Sequence, residues 1–139
     1  MKVYNGEGQV LGRLGARVAK DILLGEEVRI VNSEKVVISG NKVLTLAKEK
    51  QRLLWKGHPM RSQKHSRLPY LLVKRAIRGM LPWKTPRGKE AYHRLLCYNG
   101  LPAEFAHQSL IALEKNSFKK LPSLKYTTVG EVCKLLGGK

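Results

Sequence analysis

The chain has 139 residues, 42% of them hydrophobic, a proportion typical of one globular domain and not of a disordered chain. Lysine and arginine number 27 against 10 acidic residues, which gives a formal net charge of +17. A charge of this sign attracts polyanions, nucleic acid before anionic membrane. No apolar run approaches the roughly 18 residues of a membrane span, and the N-terminus lacks the apolar region of a secretory signal. We therefore expect a cytoplasmic protein with a polyanionic partner.

The first 54 residues predict alternating strands and helices. Residues 2–5 read as a short strand, and Leu11, Leu14, Val18 and Ile22 recur at the spacing of one helical face. Residues 28–31 and 36–38 are β-branched runs typical of strands. A second amphipathic helix follows, whose apolar side comprises Val43, Leu46, Ala47, Leu53 and Leu54. Strand-helix-strand alternation with short connections predicts a parallel sheet covered by helices.

The middle of the chain carries most of the excess charge. Residues 50–94 hold 13 basic residues and one acidic residue, Glu90. Residues 56–69 combine cations, prolines and little apolar surface, which predicts an exposed loop. Residues 70–80 predict a helix with one cationic side, and Thr85 with Pro86 opens another that we expect to reach about residue 96.

The last third is less regular. Residues 119–126 read as an exposed connector, and Thr128 with Glu131 forms a capping box before a short terminal helix. We treat residues 1–139 as a single domain, with a βα scaffold over 1–54, a basic loop-and-helix part over 55–96 and an irregular part over 97–139.

Two sites that would imply catalysis or a cofactor are not favoured. The glycines between residues 6 and 15 follow a strand and open a helix, but Leu11 stands where GxGxxG needs its third glycine, and no P-loop lysine follows. The four histidines and two cysteines lack metal-ligand spacing, so we expect no metal and no cofactor, and two reduced, mostly packed thiols. One carboxylate in the basic part is too few for acid–base or two-metal chemistry, which argues against an enzyme.

The basic part also carries interleaved ring systems, which favours RNA binding over mere solubility, because RNA-binding surfaces pair cations for phosphate with planar groups that stack on bases. Trp83, between two prolines and two cations, is the preferred stacking residue. The helix at residues 11–22 adds a lesser cationic stripe. The candidate RNA-binding residues are Arg13, Arg17, Lys20, Arg52, Lys56, His58, Arg61, Lys64, His65, Arg67, Lys74, Arg75, Arg78, Trp83, Lys84, Arg87, Lys89, His93 and Arg94.

Four stretches carry a family resemblance: LGRLGARVAK, VVISGNK, HPMRSQKHSRLPYLLVKRAIRGMLPWKTPRGKEAYHRL and YNGLP. They resemble the universal large-subunit ribosomal protein thirteen family from the first residues to about Glu104, and RGMLPWKTPRG is the most specific of them. The central insert is similar to the archaeal and eukaryotic-cytosolic type. Without a long basic helical tail, the chain resembles the archaeal members more.

The resemblance implies a three-layer α/β/α domain with a central, mainly parallel sheet and a basic loop-and-helix extension. It also implies a structural, non-enzymatic protein of the large ribosomal subunit that binds its RNA early in assembly, beside neighbouring ribosomal proteins and not as a homo-oligomer. Two alternatives stay open on the residues alone. A regulator that binds messenger RNA outside the ribosome would use the same cations, and an RNA-modifying enzyme would need acids or a cofactor pocket that the sequence does not display.

Overall fold

In the computed structural model, residues 1–55, 57 and 65–138 are described. The strands in these ranges are β1 (Lys2–Asn5), β2 (Val28–Val31), β3 (Val37–Ser39), β4 (Leu95–Cys97) and β5 (Tyr126–Thr128). The helices are α1 (Leu11–Leu23), α2 (Lys42–Leu54), α3 (Pro69–Arg78), α4 (Pro86–His93) and α5 (Val129–Leu135). None of the helices in the described ranges is both long and apolar enough to cross a membrane.

The main sheet has three parallel strands in the order β1-β2-β4. Tyr4 is in register with Ile30, and Ile30 with Cys97. Helix α1 connects β1 to β2, so the predicted strand-helix-strand unit is confirmed, as is the α/β class with a mainly parallel sheet. Nearly all of the basic middle of the chain lies in the connection between β2 and β4.

One face of this sheet carries the main core. The predicted apolar stripe of α1 is confirmed, since Leu14, Val18 and Ile22 are fully buried there with Tyr4 and Ile30. The neighbouring Asp21 is also buried, and it accepts a hydrogen bond from the Tyr4 hydroxyl. Its carboxylate lies 3.7 Å from the Lys2 ammonium and 3.5 Å from Arg17 Nε, so this buried charge is compensated. Ion pairs thus join the start of β1 to α1.

The opposite face of the sheet is covered by an irregular part of the chain. Because side chains alternate along a strand, Val3 and Val31 project away from the main core. They are buried against Phe105, with Tyr98 and Leu110 packed beside them. The covering layer on this side is therefore the segment after β4, in which a 3₁₀ turn at Ala103–Phe105 supplies the buried Phe105.

Two predictions were wrong, namely where one helix ends and which sheet one strand joins. The helix expected to reach about residue 96 ends at His93, and Leu95–Cys97 forms strand β4 instead. Its residues pair with β2, and Leu95 is fully buried. Parallel strands are covered on both faces, so apolar residues such as Leu95 suit this position. The strand expected over 36–38 is shifted by one residue and lies outside the parallel sheet. It pairs antiparallel with β5 in a separate two-stranded sheet.

The predicted second helix, α2, is confirmed, but it lacks the burial expected of an amphipathic helix. None of its residues is fully buried, and Val43 and Leu54 are more than 70% exposed. Only Thr45, Leu46, Glu49 and Leu53 are half-buried. The helix is held at its start by the Asn41 side chain, which accepts a hydrogen bond from the Val43 N–H.

The terminal helix α5 begins as its capping box predicts. The Thr128 hydroxyl accepts a hydrogen bond from the Glu131 N–H, and the Thr127 hydroxyl donates to the Glu131 carboxylate, which lowers the pKa of Glu131. The side chains of Val129 and Val132 in this helix are fully buried. A short parallel sheet and a two-stranded antiparallel sheet are thus joined into one packed unit by helices.

Both cysteines are buried free thiols, as predicted. Burial raises the pKa of Cys97 from 9.0 to about 12 and that of Cys133 to about 11. In the folded chain both thiols therefore keep their protons at pH values where an unfolded chain would release them.

We predict that this difference destabilises the protein at alkaline pH. Because the unfolded thiols ionise from their usual value of 9.0, the free energy of unfolding falls as the pH rises from about 9 towards 12. Thermal unfolding at about pH 8 and about pH 10.5 measures this loss. The Cys97→Ala variant separates the thiol from other alkaline titrations, and it should lose less stability between the two pH values than the parent. An equal loss in both proteins would contradict the prediction.

Candidate nucleic-acid interface

Helices α1, α3 and α4 pack together, and they carry most of the candidate RNA-binding residues that the structure describes. Helix α3 is fixed by Leu72, Val73 and Ile77, which are buried in the main core with the apolar stripe of α1. Helix α4 is fixed by Ala91 and by a close backbone approach at Gly88. The apolar side of each helix therefore determines where its cations lie.

On α1, Arg13, Arg17 and Lys20 are all exposed, as the predicted stripe requires. Arg17 is paired with the buried Asp21 and belongs partly to the fold. Arg13 and Lys20 have no hydrogen bond or ion pair among the described residues. These two cations are therefore available to an external anion.

Two cations of α3 lie over aromatic rings. The Lys74 ammonium is 4.8 Å from the centre of the Tyr92 ring, and the Arg78 guanidinium is 5.3 Å from that of Trp83. Such contacts orient a cation without neutralising it. Arg75, between them on the chain, is half-buried and lines a cleft towards α2.

The turn after α3 and helix α4 present further groups to solvent. Trp83 is 37% exposed, and Lys84, Lys89 and His93 are exposed as well. Within the described part of the chain, neither lysine has an ion-pair or hydrogen-bond partner. These positions agree with the placement expected from the sequence.

Two arginines of the predicted set contribute to the fold. Arg94 donates to the Ile22 carbonyl at 3.2 Å and Arg87 to the Leu23 carbonyl at 3.5 Å. The last carbonyls of a helix lack partners inside it, and the negative end of its dipole favours a cation there. Both guanidiniums therefore cap the C-terminus of α1 and tie α4 to it. Arg87 stays exposed, and with Lys20 it lines a cavity of about 470 Å³ between the two helices.

A second cleft, of about 490 Å³, lies between α2 and α3. The His65 imidazole Nε2 lies 2.7 Å from a Glu49 carboxylate oxygen, and the other oxygen accepts from Arg52 at 2.7 Å. The side chains of His65 and Glu49 are only 9% and 12% exposed. The structure thus turns His65 inward against α2, so that this imidazole secures the end of the basic segment instead of facing solvent.

The rest of the predicted loop is only partly described. Lys56, His58, Arg61 and Lys64 lie outside the described residues. Arg67 is exposed beside the end of α5, where a side chain at Gly138 would clash with the Arg67 carbonyl oxygen. The close approach of glycine backbone after α5 therefore fixes the position from which Arg67 projects.

The described residues contain no group of three or more histidine, cysteine or acidic side chains arranged to hold a metal ion. Glu49 and His65, which the fold brings together, lie 2.7 Å apart, and Glu49 also forms an ion pair with Arg52. The buried thiols have raised pKa values, which disfavours nucleophilic chemistry. The chemistry available at this surface is the binding of anions and planar groups.

Sequence reasoning missed two residues that shape the surface. Tyr92 is one of the rings of the basic part, and it supports Trp83, with ring centres 4.8 Å apart. This contact depends on the packing of α4 against the preceding turn. Glu49 lies in α2, and nothing in the sequence pairs it with His65. Both contacts join residues that no local periodicity connects.

The fold and the surface define a small α/β protein with a strongly cationic face built from three helices. The family model for "Ribosomal protein L13" matches residues 1–104. A protein of Methanococcoides burtonii is 42% identical over the whole chain and 99% of its own length. One of Methanocaldococcus jannaschii is 42% identical over 100% and 99%, and one of Methanopyrus kandleri is 40% identical over 97% and 86%. Each is named "Large ribosomal subunit protein uL13". The chain belongs to the ribosomal protein L13 family.

We predict that the contact between Glu49 and His65 stabilises the fold. Glu49→Ala removes the carboxylate that lies 2.7 Å from the buried His65 Nε2, so the free energy of unfolding should fall by about 1–3 kcal/mol. Urea unfolding measures it. Glu104→Ala, at an exposed acid, is the control and should change stability by no more than about 0.5 kcal/mol. His65→Ala and the double variant complete a cycle, and strictly additive effects would show that the two side chains do not interact.

Proposed function

We propose that this protein is a structural constituent of the large ribosomal subunit that binds large-subunit ribosomal RNA through the face formed by α1, α3, α4 and the intervening turn. The observation that carries the proposal is a set of exposed cations on these helices and the turn that have no partner among the described residues, namely Arg13, Lys20, Lys84 and Lys89. Exposed, unpaired cations on helices that pack on a stable core can bind the phosphates of a polyanion. Membership of the L13 family and the names of the relatives support ribosomal RNA as that polyanion.

Some of the basic residues stabilise the fold and others stay unpaired, and this arrangement supports binding to folded RNA. Arg87 and Arg94 hold α4 against α1, so the unpaired cations sit on a rigid frame. Recognition of folded RNA relies on shape and backbone more than on base sequence. A rigid array of charges can match one arrangement of phosphates, and in this proposal it stabilises that arrangement while the subunit assembles. The remaining candidates, Lys56, His58, Arg61 and Lys64, would extend the contact from the basic loop.

The proposal makes the protein non-enzymatic, without a cofactor, and places it in the cytoplasm within the large subunit beside other ribosomal proteins. Cosedimentation of the tagged chain with large subunits at physiological salt tests this assignment. Crosslinking followed by RNA sequencing tests the partner, because one locus in large-subunit RNA is expected. Crosslinks dispersed over messenger RNAs would instead favour a regulator outside the ribosome and would overturn the proposal.

We predict a steep salt dependence that specific lysines account for. If six to ten phosphates are contacted, affinity for deproteinised large-subunit RNA should fall by about 10³- to 10⁵-fold between about 50 and 200 mM salt. Replacing Lys84 and Lys89 by glutamine removes two unpaired cations and should lower the slope of log affinity against log salt by about two. Filter binding or fluorescence anisotropy measures it.

The matched control replaces Lys119 and Lys120 by glutamine. These lysines are also exposed, but they lie in the 3₁₀ turn Phe118–Lys120, outside the three helices and the turn that joins α3 to α4. The control should keep the parent slope. A flat salt response of the parent protein, or equal loss in both double variants, would refute the assignment of the RNA-binding face.

A further inference from the structure

The segment RGMLPWKTPRG, residues 78–88, is held in one conformation by several local contacts, which phosphate binding alone does not require. The Trp83 N–H donates to the Leu81 carbonyl at 2.7 Å. The Pro82 carbonyl accepts from both the Thr85 N–H at 3.0 Å and the Thr85 hydroxyl at 2.8 Å. These bonds close a tight turn, and Trp83 is one of its central residues.

The turn is also fixed from the side of α4. The Thr85 hydroxyl accepts from the Gly88 N–H and so caps the helix, while Pro86 occupies its first turn. A Cβ at Gly88 would clash with the Pro82 carbonyl oxygen, so only glycine permits this approach. The glycine, the prolines and the threonine of the segment therefore all serve to hold one conformation around Trp83.

The indole held in this way is supported but not covered. Tyr92 meets it at nearly a right angle, with ring centres 4.8 Å apart and planes 82° apart. Arg78 lies over the indole with its guanidinium carbon 5.3 Å from the ring centre. Burial raises the pKa of Tyr92, which keeps its ring neutral. Despite these contacts Trp83 is still 37% exposed, whereas Leu81, two residues earlier, is buried.

The exposed part of Trp83 borders an open cavity of about 480 Å³. Its lining is mostly apolar, contains two cations and no acid, and consists of Arg78, Gly79, Leu81, Pro82, Trp83, Lys84 and Thr85. A ligand for this cavity should combine a flat apolar ring with negative charge. An apolar side chain of a partner protein would supply the ring but would leave the two cations facing it without an anion.

We propose that this cavity receives a single unstacked nucleobase of the bound RNA, which stacks on Trp83 while its phosphate lies against Lys84. This inference rests on the proposed RNA-binding function and assigns to one site a contact different from the phosphate contacts elsewhere. Unpaired bases in RNA loops stack on aromatic side chains in this way, and no particular base is required, because every base has a π face. The rigid turn keeps the indole ready, so little ordering is needed on binding.

Affinity measured over a range of salt concentrations tests the stacking. With deproteinised large-subunit ribosomal RNA as the probe, Trp83→Ala should weaken binding by about 5- to 150-fold at every salt concentration. The slope against salt should not change, since no phosphate contact is removed. Trp83→Phe, which keeps an aromatic face, should recover most of the affinity. Lys84→Gln should instead lower the slope by about one.

Tyr126→Ala is the matched control, because Tyr126 is similarly exposed, at 40%, and also contacts an aromatic neighbour, but lies in the two-stranded sheet. It should bind RNA like the parent. Circular dichroism and thermal unfolding identify any variant that has not folded. If Trp83→Ala does not fold, Trp83→Leu is measured instead. Leucine fills the turn without an aromatic face, so this variant should show the same loss of RNA affinity.

A fluorescence measurement reports on the indole itself. In Trp55→Phe the single remaining tryptophan is Trp83, and RNA binding should quench it and protect it from acrylamide. Unchanged affinity of the folded Trp83 variants, or a Trp83 that acrylamide still reaches in the complex, would overturn the nucleobase site while leaving the proposed function intact. Failure of the parent to bind the RNA would instead remove the proposed function itself.

Discussion

Burial of one apolar stripe of α1 positions the rest of this molecule. Leu14, Val18 and Ile22 reach complete burial only because the sheet lies on one side of them and α3 and α4 on the other. Full burial of such a side chain contributes about 1.5–3 kcal/mol, so the stripe is a large share of the stability of a domain this size. Since the cations of all three helices lie opposite these buried residues, the same packing that folds the chain also determines the spacing of its charges.

Basic residues have different roles in this protein, and the partner of each side chain shows which role it has. Arg94 and Arg87 hold the carbonyl end of α1, and Arg17 and Lys2 compensate a buried carboxylate. Other cations on the same surface have no partner among the described residues. A count of charges cannot separate these groups, because capping a helix and binding a phosphate both call for a donor with positive charge.

Much of the fold could be predicted from periodicity and capping signals. The bounds of β1 and β2, the presence of α2, and the caps of α4 and α5 follow from alternation, β-branched runs and local hydrogen-bonding residues. Strand β4 could not be predicted in this way, because Leu95–Cys97 is three residues long and follows a helix almost directly, so its apolar residues continue the helical pattern. The composition of the cationic face was predictable, and the exposure of most of its described side chains followed from helix periodicity. The inward turn of His65 was not, since its partner Glu49 lies in another helix.

The placement of the basic part between two neighbouring strands has a consequence for how the domain can vary. Strands β2 and β4 are paired side by side, yet the chain from Asn32 to Arg94 runs between them. The entropic cost of closing such a connection grows only slowly with its length, so residues can be inserted or lost there while the sheet keeps its order. A ligand that binds this connection only when it is folded also stabilises the pairing of β2 with β4, by mass action. The free energy of binding to this long connection is thus coupled to strand pairing at the centre of the sheet.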